Sequence, residues 1–203
     1  MTTSAAAPVQ FVPRTKLRPP RMPDDLLGRP RLIEKLQRPQ TLSLVIAPAG
    51  YGKTSLVSTW LAQSGLPYTW LSLEADDNSL PAFLATLAAA VHCLVPALGS
   101  KLLSLLPATT KELTPSAILP VLLNGLDELE KRFVVVLDDY HHVRDPAIHQ
   151  LICGLIEHPP RALQLVLTAR YDPPLPLPAL RAKGAIVEVR SRDLRFSPAE
   201  TAH

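Results

Sequence analysis

Cysteine is scarce: Cys93 and Cys153 are the only two in 203 residues, far apart, with no CxxC spacing and no histidine grouping beside them. That speaks against a disulfide-stapled scaffold and a cysteine zinc site, and points to a reducing, cytoplasmic setting. An excess of one charge is also lacking. Lys and Arg number 21 against 18 acids, for a formal net charge of +3 and a pI near 9.0, and the bases are dispersed. The balance hints at an anionic ligand and makes no case for a nucleic-acid surface. No basic segment followed by an apolar core opens the chain, so no signal peptide is read there. The uncharged stretch from Ala82 to Leu98 is closed by Pro96 and Gly99 short of the roughly 20 apolar residues of a membrane span. Phe83, Leu84, Leu87, Val91, Leu94 and Val95 recur at helical spacing, which reads as a helix packed on a core, with no membrane contact. Internal repeats are absent too.

What is present is an apolar composition, 47% hydrophobic and 19% charged, that suits one α/β domain. Residues 1–23 are proline-rich, with Arg14, Lys16, Arg18 and Arg21 between the prolines, and read as an extended arm. Residues 24–196 alternate apolar runs with helical patterns, the signature of a mostly parallel sheet, here of five strands, with crossover helices on both faces. Strands are expected at 42–46, 68–73, 133–137, 163–168 and 186–189. Helices are expected at 30–36, 53–63, from about 80, and at 146–157, with an interrupted helical stretch between Lys101 and Arg132 and a proline-rich turn at 173–178. Ser197-Pro198-Ala199-Glu200 is a capping box, so residues 197–203 are expected to begin a helix that the chain does not complete.

The strongest motif is Ala47-Pro48-Ala49-Gly50-Tyr51-Gly52-Lys53-Thr54, set between a strand and a helix. Such a loop wraps a phosphate with backbone N–H groups. Gly50 and Gly52 allow the turn, the helix N-terminus through Ser55 adds positive potential, Lys53 neutralises β and γ oxygens, and the Thr54 hydroxyl ligates Mg²⁺. Ala47 stands where the usual pattern has its first glycine, which requires a negative φ there.

The run Phe133 to Leu137 ends in Asp138-Asp139. At the carboxyl edge of a parallel sheet these acids face the loop, Asp138 toward Mg²⁺ and Asp139 toward a water beside the γ-phosphate. Arg170, after the strand 163–168, reaches the same edge, either as a γ-phosphate sensor or in a salt bridge to Asp139 or Asp172. Gly28-Arg29 is placed beside base and ribose. His141, His142 and His149 show no metal-ligand spacing and are given no role.

With these residues in place, the chain resembles the N-terminal ATPase domain of the large LuxR-type regulators related to the maltose activator MalT, within the STAND class of signalling NTPases. The resemblance rests on Thr15-Lys16-Leu17, Gly28-Arg29-Pro30-Arg31-Leu32, Pro48 to Thr54, Trp70-Leu71-Ser72-Leu73 with Asp76-Asp77-Asn78 and Phe83, Leu137-Asp138-Asp139-Tyr140-His141, and Leu194-Arg195-Phe196-Ser197. It implies an ATP/ADP switch: Lys53 and Thr54 hold Mg-ATP, Asp138 helps bind the metal, Asp139 assists slow hydrolysis, and Arg170 is a sensor. It also implies self-association of the full-length protein, and DNA binding only through a C-terminal domain absent from this sequence. Two other readings stay open: a small-molecule P-loop kinase, which needs an acceptor pocket and an Arg-rich lid, and a nucleotide-binding scaffold, in some relatives linked to a protein kinase domain.

Overall fold

A computed structural model describes residues 12–22, 28–106 and 113–195. Its centre is a five-stranded sheet made of β1 (Leu42–Ile46), β2 (Tyr68–Ser72), β3 (Phe133–Asp138), β4 (Leu163–Ala169) and β5 (Ile186–Arg190). All four pairings are parallel, and the order across the sheet is β2-β3-β4-β1-β5. β1, β3 and β4 are buried throughout their lengths, which explains why they read as mainly apolar runs without regular alternation, interrupted only by Ser43 in β1, Gln164 and Thr168 in β4 and the terminal Asp138 of β3.

Side chains still alternate between the faces. Phe133, Val135 and Leu137 of β3 enter one core with Leu42, Leu44, Leu165 and Leu167, beneath α3 (Leu80–His92), α4 (Pro96–Ser104), α5 (Pro115–Asp127), α6 (Pro146–Glu157) and α7 (Leu177–Ala182). Val134 and Val136 enter the other with Val45, Trp70 and Val166, under α1 (Pro30–Gln37), α2 (Lys53–Ser64) and α8 (Ser191–Leu194). The fold is therefore the expected α/β sandwich with helices on both faces.

Proline accounts for most departures from the expected elements. The stretch 101–132 holds the end of α4 and the whole of α5, with Pro115 opening α5 and Pro120 inside it. Pro120 removes the donor to the Ser116 carbonyl, but both residues are exposed and water can serve that oxygen. The turn expected at 173–178 runs into α7. Within the expected extended arm, Arg14–Leu17 form a turn of 3-10 helix with Leu17 against the core. Lys16 Nζ there meets the buried Asp77 carboxylate at 2.6 Å, and Asp77 also accepts from Thr86 Oγ1 at 2.8 Å. The capping box at 197–200 lies outside the described residues.

Candidate phosphate-binding site

Because every strand runs the same way, the carboxyl ends gather at one edge. The register sets Ile46 beside Ala169, Leu137 beside Leu167, and Ser72 beside Asp138. The loop leaving β1 and the acids leaving β3 thus flank β4, which lies between them. This is the edge at which open parallel sheets take ligands.

The loop is open to solvent from Pro48 to Gly52, then dives into the core at Lys53. Gly50 and Gly52 have φ of 80° and 76°, the left-handed conformation that L side chains avoid. Gly52 caps α2, so the unpaired N–H groups of the first helical turn, at Lys53, Thr54 and Ser55, face the loop. Asp139 is the one non-glycine with positive φ among the described residues, so Ala47 meets the condition its substitution for glycine imposes. Ala47 is buried, and its N–H donates to Ala169 O at 3.2 Å, tying the root of the loop to β4.

Lys53 is buried at 6% exposure, and its ammonium donates to Pro48 O at 3.1 Å. Burial lowers its pKa and Arg170 adds to that, while the Asp139 and Asp138 carboxylates pull the other way. The Thr54 hydroxyl donates toward Asp138, 3.1 Å from Oδ1 and 3.2 Å from Oδ2. The Asp138 carboxylate is 4% exposed. Burial raises its pKa and Asp139 adds to this, against the opposing hydrogen bonds from Thr168 and Thr54 and the charge of Lys53. A buried carboxylate facing a hydroxyl is a hard-oxygen pair of the kind that suits Mg²⁺.

Sequence reading missed Thr168. Its hydroxyl donates to Asp138 Oδ1 at 2.6 Å and accepts the Asp139 N–H at 2.9 Å, so one side chain locks both acids. The second bond also supports Asp139 in its left-handed conformation, φ 57° and ψ 39°. The available signal was a polar residue near the end of the run Leu163 to Ala169, which otherwise holds only Gln164 as a polar residue.

Arg170 is exposed at the same edge, close enough to Lys53 to depress its pKa. Neither expected salt bridge forms: Asp172 pairs with Arg190, and Arg170 has no hydrogen bond or ion pair among the described residues. Gly28 and Arg29 lie just before α1, and the Arg29 guanidinium donates to Leu194 O at 2.8 Å and to Arg195 O at 3.2 Å. The structure thus brings the loop, Asp138, Asp139 and Arg170 together, while Arg29 fastens α1 to α8.

No family model matches the chain. Among solved structures it is similar to a Signal Transduction ATPase with Numerous Domains carrying a tetratricopeptide repeat sensor, from Pyrococcus horikoshii. That match has a TM-score of 0.59 and 17% identity, covering 96% of this chain and 26% of that one. Cdc6p from Pyrobaculum aerophilum matches with a TM-score of 0.56 and 16% identity over 88% of this chain and 49% of that one. The Aeropyrum pernix ORC1 protein, solved in complex with DNA, matches with a TM-score of 0.50 and 17% identity over 83% and 46%. The chain shares with these proteins an α/β fold built on a five-stranded parallel sheet. It spans between about a quarter and a half of the length of these three proteins.

Thr54 and Asp138, in contact at this edge, are the residues that could hold Mg²⁺. No group of three or more His, Cys, Asp or Glu side chains clusters as a metal cage among the described residues. Two oxygen donors match an ion that keeps waters and shares phosphate oxygens.

Proposed function

We propose that this chain binds Mg-ATP and ADP and hydrolyses ATP slowly, as the switch domain of a larger cytoplasmic, signal-responsive regulator of the LuxR type. One observation carries the reading: the Thr54 hydroxyl and the buried Asp138 carboxylate meet at the mouth of a solvent-open loop that turns through two left-handed glycines. The loop amides from Ala49 to Thr54 and the start of α2 cradle the phosphates. Lys53 exchanges its bond to Pro48 O for phosphate oxygens, a charge-assisted contact in place of a neutral one. Mg²⁺, when bound, neutralises charge on the β and γ oxygens and removes the cost of the buried Asp138 charge. Asp139, whose side chain is 42% exposed, orients the attacking water. Arg170, permanently charged and without a described partner, contacts the γ-phosphate and so distinguishes ATP from ADP.

The order of motifs supports the regulator reading, as does the likeness to a signal-transduction ATPase. In this reading DNA contact and self-association belong to the full-length protein, with DNA read by a separate domain. The test is ATP hydrolysis by the chain without any phosphoryl acceptor. The expected result is slow release of phosphate, reduced about 100-fold in Asp139→Asn. Turnover that requires an added acceptor would replace this reading with a kinase.

A further inference from the structure

His141 sits in the turn of 3-10 helix Tyr140–His142 that follows the two acids. It is 8% exposed, and neither ring nitrogen has a hydrogen-bond partner among the described residues. A buried imidazole left this way is costly, and cores rarely keep such a group without a use for it. The ring is held on several sides. Its main-chain carbonyl accepts from Tyr171 Oη at 2.9 Å, the Tyr171 ring meets it edge-on at 6.1 Å, and the His142 ring lies 4.4 Å away.

One acceptor close to His141 is the carboxylate proposed above to orient water. Nδ1 lies 3.6 Å from Asp139 Oδ1, just outside hydrogen-bond range. The Asp139 backbone is pinned by Thr168, but its half-exposed carboxylate can turn. A movement of about half an ångström closes the bond. The tautomer carrying its proton on Nδ1 makes that contact. The groups that face this imidazole are the Asp139 carboxylate, His142, Arg170, Lys53 and the Tyr171 ring. Burial is the largest influence holding it neutral; Arg170, Lys53 and His142 reinforce that, and Asp139 opposes it. Phosphate oxygens entering between Lys53 and Arg170 would offset those two cations and strengthen donation to Asp139.

We infer that His141 is a positioning residue: its Nδ1–H donates to the Asp139 carboxylate and sets the angle at which Asp139 orients water, a role engaged when a triphosphate is bound. The inference rests on the reading of Asp139 given above. Orientation errors of this kind cost about 10- to 100-fold in rate without weakening binding.

The test compares His141→Ala, His141→Asn and His141→Gln in the whole chain, measuring ATP affinity by calorimetry and steady-state phosphate release. Asn places an N–H near the Nδ1 position, whereas Gln places one near Nε2, so the pair separates donation to Asp139 from simple polarity even if the Ala variant fails to fold. The expected result is ATP affinity within about 2-fold throughout. The same principle expects kcat to be about 10-fold or more lower in Gln and Ala, and largely retained in Asn. In an Asp139→Asn background, the Gln substitution should add no further loss. Equal kcat in Asn and Gln, parallel loss of affinity and rate, additive loss in the double variant, or a wild-type chain that binds ATP without turning it over would each overturn the inference. A wild-type chain that binds no ATP would instead remove the nucleotide reading on which it stands.

Discussion

One hydroxyl holds the two acids in place. Thr168 is fully buried and serves the Asp138 carboxylate and the Asp139 N–H together. Thr168→Val keeps the shape but strands the Asp139 N–H and leaves the Asp138 carboxylate with Thr54 alone, at a cost of about 1–3 kcal/mol. Thermal unfolding should show a Tm several degrees lower, and hydrolysis should fall with it, whereas Thr168→Ser should preserve both. Asp138 makes the opposite prediction. Its pKa is raised in the folded chain, so its contribution to stability is full below the ordinary carboxyl range and is lost as pH rises through the folded value. Without ligand, burial of this carboxyl therefore costs the folded chain stability above the ordinary carboxyl range. Asp138→Asn should raise the ligand-free Tm at neutral pH, by about 2–4 °C for each 1 kcal/mol relieved. The gain should shrink as pH falls through the carboxylate range, and Mg²⁺-dependent tightening of ATP binding should disappear. Residues with a motif spacing, such as Lys53, Thr54 and Asp138, were legible in the sequence. Thr168 and His141 were not, because their importance comes from partners 30 and 2 positions away that only the folded edge brings within reach.

At the scale of elements, the buried strands were readable to within about one residue because short runs rich in leucine and β-branched residues have few alternatives. Proline misled where it was taken only as a breaker. Six of the eight described α-helices carry proline at one of their first two positions, where the missing N–H costs nothing. Glycine has a separate role in helix packing. A Cβ on Gly99 would lie 2.4 Å from His92 Cβ and 2.7 Å from Ala88 O, so α4 passes α3 only because that position is bare. Gly99→Ala should therefore destabilise the chain by about 1–3 kcal/mol, measured by denaturant unfolding, and leave nucleotide affinity unchanged. The site lies on the other elements, so a loss of affinity in that variant would show a coupling between α4 and the loop that the packing gives no reason to expect.

Across the whole molecule, the fold class was legible and the strand order was not. Alternating β and α patterns demand a parallel sheet, but nothing local tells β4 to insert between β3 and β1. That insertion matters, because it places Thr168 and Arg170 between the loop and the acids. No described helix is long and apolar enough to cross a membrane. The arm is tied back through Lys16 to Asp77 and Glu74, with distances of 2.6 and 3.2 Å. The account stands on a polyphosphate entering the loop opposite Asp138, and calorimetric titration of the chain with ATP in the presence of Mg²⁺ measures that directly. One molecule of ATP should bind per chain, and Lys53→Ala should weaken binding by about 10- to 100-fold, the loss of one charge-assisted contact. Absence of heat with both ATP and ADP, or unchanged affinity in Lys53→Ala, would contradict it.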